Sequence, residues 1–140
     1  MPQKRHSAEL VRVLLAEDNP GDVLLVREAL KLQPFQSELT VQPDGERMLG
    51  FIDQIEAGQQ PCPDIILLDL NLPRRTGEIL LERIRQSKPC LKVPIVIVTS
   101  SGSPRDREIA ERLGANRYFQ KPSDYEKFMH LGSVIRELLQ

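Results

Sequence analysis

A chain of 140 residues with 19 basic and 20 acidic side chains and a formal net charge of −1 has room for one ordinary core rather than two, and it lacks the basic field that nucleic acid demands. No stretch approaches the roughly 18 consecutive apolar residues of a membrane span, and the polar start has none of the order of a secretory signal. The expectation is one domain over residues 1–140, with a flexible tail over 1–9, in the cytoplasm, with no membrane or nucleic-acid partner and no residues left for an effector domain. Cys62 and Cys90 have neither metal-ligand spacing nor a disulfide framework around them, so both are expected as free thiols.

Leu10 to Ala16 is predicted as a strand that runs straight into Glu17-Asp18-Asn19-Pro20. Asn19 as N-cap and Pro20 at the first helical position start a helix directly after the acid pair, and Val23, Val26 and Leu30 keep helical spacing. A short strand over Glu38 to Gln42 and a helix over Glu46 to Ala57, closed by Gly58, come next. Ile65-Ile66-Leu67-Leu68 has no polar alternation, the pattern of a strand covered on both faces, and it ends in Asp69. After the loop Asn71 to Thr76, Gly77 opens a helix that ends before Pro89. Pro94 to Thr99 is a second buried strand, Pro104 to Leu113 a polar helix closed by Gly114, and Asn116 to Gln120 a fifth strand. Ser123-Asp124 cap a last helix to Leu139. Strand and helix alternate five times, and helix-length crossovers demand a parallel sheet.

In an open α/β sheet, ligands bind beyond the carboxyl ends of the strands. Those ends carry Glu17-Asp18, Asp69, Thr99 and Lys121. Singly, each is more often a cap or a solvated loop residue; their weight comes from four strand ends agreeing. Two carboxylates about 4 Å apart repel by about 4 kcal/mol at an effective dielectric near 20, so the cluster should raise a pKa or hold a cation. All-oxygen ligands suit a hard ion such as Mg²⁺, which bridges carboxylates to phosphoryl oxygens. Phosphoryl chemistry is therefore expected. Asp69 is the candidate nucleophile and phosphoacceptor; Glu17, Asp18, Asp69 and the backbone carbonyl of Asn71 are candidate metal ligands; Lys121 and the Thr99 hydroxyl are candidate partners of the transferred oxygens.

Taken together, Glu17-Asp18, Asp69 with Asn71-Leu72-Pro73 and Gly77, Thr99, Tyr118 and Lys121-Pro122 make the chain resemble the receiver domains of two-component response regulators over essentially its whole length. The resemblance implies a flavodoxin-like (βα)5 fold with strand order 2-1-3-4-5 and helices on both faces. It also implies Mg²⁺-dependent phosphorylation of Asp69 by the phosphohistidine of a sensor histidine kinase, and a switch in which Thr99 and Tyr118 shift. A cis peptide before Pro122, aiming Lys121, is implied as well. Ala16 to Asp22 is similar to the small stand-alone regulators paired with phytochrome-type kinases. This chain departs from the family pattern at Thr76, before Gly77, and in the basic pair Arg74-Arg75. Asn71 and Ser101 occupy positions that tune dephosphorylation in such domains.

Two other readings are weighed. A hydrolase working through an aspartyl phosphate would want an acid two positions after Asp69, where Asn71 stands. A flavin-binding module of the same architecture would need a phosphate-cradling first loop, and Glu17-Asp18 would repel that phosphate. As for output, the apolar side chains of the last helix, from Tyr125 and Phe128 to Leu138 and Leu139, spread well beyond the roughly 100° needed to face a core. A homodimer through that helix, with Tyr118 and its strand nearby, is the expectation. His6 in the tail and His130 on the last helix have no partner at ligand spacing, so neither a phosphohistidine nor a metal role is expected of them, and the Arg105 to Glu108 run is read as a solvated helix face.

Overall fold

All of Ile65–Leu68 and Ile95–Thr99 is buried, so these two strands must lie inside a sheet with helices on both faces. In the computed structural model, which describes residues 9–74 and 76–140, they do. The tail expected up to Glu9, His6 and Arg75 fall outside the described residues, Glu9 alone excepted. The elements are β1 (Leu10–Ala16), α1 (Pro20–Lys31), β2 (Gln36–Gln42), α2 (Gly45–Glu56), β3 (Ile65–Leu68), α3 (Gly77–Gln86), a 3-10 turn (Lys88–Cys90), β4 (Ile95–Thr99), α4 (Pro104–Arg112), β5 (Arg117–Gln120) and α5 (Tyr125–Leu139). The five strands are parallel, in the order β2-β1-β3-β4-β5. β2 starts earlier than expected because Leu10 of β1 pairs with Gln36.

Side chains alternate across the pleat, and this divides the buried runs between two cores. Leu14, Ala16, Ile66, Leu68, Ile95 and Ile97 face α2 and α3, while Val13, Leu15, Ile65, Leu67, Val96 and Val98 face α1 and α5. Two glycines allow close approaches. A Cβ on Gly77 would stand 2.6 Å from the Leu70 Cα, so α3 can start against the end of β3 only without one; on Gly132 of α5 it would stand 2.6 Å from the Ala29 carbonyl of α1.

α5 uses most of its apolar arc internally. Phe128, Met129, Leu131 and Ile135 are buried, and Val134, Leu138 and Leu139 pack against the same core, which leaves Tyr125 as its exposed large apolar side chain. The arc is wide because α5 covers both the sheet and α1.

The cysteines correct an expectation: Cys62 and Cys90 form a disulfide, with a Cα–Cα distance of 5.6 Å. The fold brings the Pro61-Cys62-Pro63 segment before β3 against the turn after α3, an approach their separation of 28 residues does not announce. Among the described residues, no helix is long and apolar enough to cross a membrane.

Candidate functional site at the carboxyl ends of the strands

Strand register assembles the site. Ala16 pairs with Leu68, so Glu17 and Asp69 emerge side by side, tied by the Asp69 N–H donating to the Ala16 carbonyl at 3.1 Å. On the other flank Thr99 pairs with Gln120, and the Lys121 N–H donates to the Thr99 carbonyl at 2.7 Å. α1 begins just above this rim: the Asn19 side chain accepts from the Asp22 N–H at 3.1 Å and Pro20 opens the helix.

At the centre lies the Lys121 ammonium, bonded to Glu17 Oε1 at 2.7 Å, Asp22 Oδ2 at 2.8 Å and Asp69 Oδ2 at 2.9 Å. The second Asp69 oxygen accepts from the Asn71 N–H at 3.0 Å, and the second Glu17 oxygen from the Asp18 and Asn19 N–H groups at 3.1 and 3.2 Å. Glu17 and Asp69 are buried, whereas Asp18 is exposed. Burial holds Glu17 up at about 7; the Lys121 bond opposes this and the charge of Asp69 reinforces it. For Lys121, burial works against the charge, but the bonds to Asp22, Glu17 and Asp69 outweigh it and raise the ammonium above its usual range. The two shifts pull differently on one ion pair. The rim resolves them: a single ammonium satisfies Lys121 fully but cannot neutralise every acid around it.

Carboxylate oxygens of Glu17, Asp18 and Asp69 lie within 4.8 Å of one another. Hard donors converging with excess negative charge fit a divalent cation.

Thr99 is fully buried. Its hydroxyl accepts from Asn71 Nδ2 at 3.4 Å, and the Asn71 N–H is on Asp69, so Asn71 enters through its side chain and its N–H, where the carbonyl was the atom expected. The Tyr118 hydroxyl donates to the Ser101 carbonyl at 2.8 Å, and the Arg107 guanidinium sits 4.4 Å over its ring. The bond before Pro122 is trans, contrary to expectation: no cis peptide occurs among the described residues. Lys121 reaches the rim regardless, because its own N–H is anchored on Thr99. Sequence reasoning missed Asp22 and Arg107. The signal for Asp22 was available, since a helix that starts on the acid pair puts its first-turn carboxylate over the same rim.

A doubly wound parallel α/β domain whose strand ends gather an acid cluster, a lysine and a hydroxyl is equipped for phosphoryl chemistry on a carboxylate. Residues 13–131 match the response regulator receiver domain, and the chain belongs to that family. It is 36% identical over 110 residues to the response regulator Rcp1 of Synechocystis sp., covering 78% of this chain and 75% of that protein. Among solved structures it is similar to the Mn²⁺-bound form of Rcp1, with a TM-score of 0.81 and 32% identity over 91% of this chain and 92% of that one. It is also similar to the phosphorylated cyanobacterial phytochrome response regulator RcpA, with a TM-score of 0.84 and 28% identity over 94% of each. The hydrolase and flavin-binding readings find no support in these likenesses.

Proposed function

We propose that this receiver domain accepts a phosphoryl group on Asp69 from the phosphohistidine of a sensor histidine kinase in a Mg²⁺-dependent reaction, and signals by changed protein contacts. The observation that carries this reading is Asp69 itself, one oxygen on the Asn71 N–H and the other on the Lys121 ammonium, with Glu17 and Asp18 converging beside it. An Asp69 oxygen attacks phosphorus, the P–N bond to the kinase imidazole breaks, and the electron pair leaves with the imidazole nitrogen. Glu17, Asp18, Asp69 and the Asn71 carbonyl are the residues that would hold Mg²⁺. When bound, the ion would supply positive charge that offsets the acid cluster and the incoming phosphoryl group. Lys121 follows the transferred oxygens, and the Thr99 hydroxyl turns from Asn71 to donate to one of them. Because the Tyr118 hydroxyl holds the Ser101 carbonyl two residues on, a shift of Thr99 reaches Tyr118 through one bond. The domain also assists loss of the phosphoryl group, with Asn71 and Ser101 beside the site setting its lifetime.

Similarity to Rcp1 and to RcpA, a phytochrome response regulator by its description, supports a phytochrome-type kinase as partner, with the exchange taking place in the cytoplasm. The exposed Tyr125 at the start of α5 and the partly exposed Tyr118 of β5 support a homodimer through α5 and β5. Incubation with acetyl phosphate and Mg²⁺ should add the mass of one phosphoryl group to the chain and none to Asp69→Asn; an unmodified wild-type chain sinks the reading. Light scattering that found a monomer with and without a phosphate mimic would remove the dimer alone.

A further inference from the structure

The Lys121 ammonium has three N–H bonds to give, and Glu17, Asp22 and Asp69 take them at 2.7, 2.8 and 2.9 Å. Two of these acceptors have other work in phosphotransfer. Asp69 becomes an acyl phosphate, a mixed anhydride whose negative charge lies on the phosphoryl oxygens and no longer on Asp69 Oδ2, and Glu17 belongs to the group of oxygens that converges for a cation. Asp22 has neither task. It comes from the first turn of α1, on a backbone held by its N–H on Asn19 Oδ1, and reaches a lysine 99 residues away at the end of β5.

We propose that Asp22 is a positioning residue for the phosphoacceptor reaction: it anchors the Lys121 ammonium on the α1 side of the rim while Lys121 yields Glu17 and Asp69 to their other partners. The inference rests on the phosphoacceptor reading above. An ammonium on a flexible four-carbon stem keeps its place only through its partners, and small misplacements of a group that meets developing charge cost up to about 100-fold in rate. With Asp22 present, Lys121 keeps one partner throughout the transfer. Without it, Lys121 is left on the two carboxylates that must let go.

The test is phosphorylation by acetyl phosphate with Mg²⁺, followed by mass, for the wild-type chain, Asp22→Ala and Asp22→Asn. Asp22→Ala is expected to lower the rate at saturating phosphodonor about tenfold, with little change in the half-saturating concentration, because Lys121 acts on charge that develops during transfer. Asp22→Asn leaves an acceptor oxygen in place and is expected to recover most of the rate. A second readout is independent of phosphorylation: the ¹H–¹⁵N correlation of the Lys121 ammonium, protected from exchange by its bonds, should be present in the wild type and Asp22→Asn and lost in Asp22→Ala. Full rate in Asp22→Ala overturns the proposal, as does an Asp22→Asn rate as low as that of Asp22→Ala, which would mark a role for charge alone. A slow Asp22→Ala with the ammonium signal intact overturns it too. A wild-type chain that takes no phosphoryl group on Asp69 overturns the parent reading instead.

Discussion

At the amino ends of β3, β4 and β5 the Arg85 guanidinium donates to the carbonyls of Cys90, Leu91, Val93 and Gly114 and to Asn116 Oδ1, and the Cys62–Cys90 disulfide closes the same end covalently. At the carboxyl ends the Lys121 ammonium faces Glu17, Asp22 and Asp69, with exposed Asp18 beside them. One end surrounds a half-buried guanidinium with neutral acceptors, and burial there draws the Arg85 pKa down. The other gathers more like charge than it can neutralise, and there burial and the charge of Asp69 hold Glu17 up at about 7. The same sheet is thus tied at one end and left reactive at the other, and the difference shows where stability and chemistry have been placed.

The sharpest way to break the contrast is to remove the ammonium. Lys121→Met is expected to slow phosphorylation by about 100-fold to 1,000-fold, and to destabilise the metal-free chain by about 3 kcal/mol through uncompensated buried carboxylates, with part recovered on adding Mg²⁺. Rate by mass and stability by urea titration read the two effects. An unchanged rate would place the chemistry elsewhere.

The opposite end should answer in stability alone. Arg85→Met leaves the Leu91 and Gly114 carbonyls without the guanidinium, while Asn116 Oδ1 keeps the Ile95 N–H, and a loss of about 3 kcal/mol is expected in the same titration, with the phosphorylation rate of the folded protein within about twofold of the wild type. A large fall in rate would mean that the two ends are coupled.

A pH series separates them further. Folded Glu17, held at about 7 by burial, keeps its proton over a range where the unfolded group, at its ordinary 4.5, has lost it. The folded state then binds more protons, so this group's stabilising contribution is complete below about pH 4.5 and is lost as pH rises through about 7. Without divalent ions, the stability lost between those limits should be smaller in Glu17→Gln, and Mg²⁺ should oppose the loss in the wild type. An equal slope in both proteins would remove Glu17 as its source.

The smallest effect is expected at Tyr118. Tyr118→Phe gives up the hydrogen bond to Ser101 and should cost about 1 kcal/mol with phosphorylation intact, while the response of the β5 surface to phosphorylation, read by amide exchange, weakens. An undiminished response would show that the signal bypasses the Ser101 bond.

Much of this was legible in advance because it is local. Uninterrupted Ile65–Leu68 and Ile95–Thr99 needed cover on both faces, Asn19-Pro20 opened α1 at the acid pair, and parallel strands put Glu17, Asp69, Thr99 and Lys121 on one rim. Four features were not legible. The disulfide, the Asp22–Lys121 bond and Arg107 over Tyr118 depend on how helices and connecting segments dock, and periodicity gives a helix its buried face but not the reach of a side chain at its edge. The trans bond before Pro122 is the fourth, since proline narrows the choice of isomer without making it.

By itself, then, the sequence determined the alternation of elements, the burial of the central strands and the set of residues at their ends, because each follows from spacing along a single strand or helix. Only the tertiary structure decided which carboxylates share the lysine, how far α5 spends its apolar surface on α1 and the sheet, and that the two cysteines meet. Those outcomes are set by distances between segments far apart in the chain, which exist only once the helices have packed.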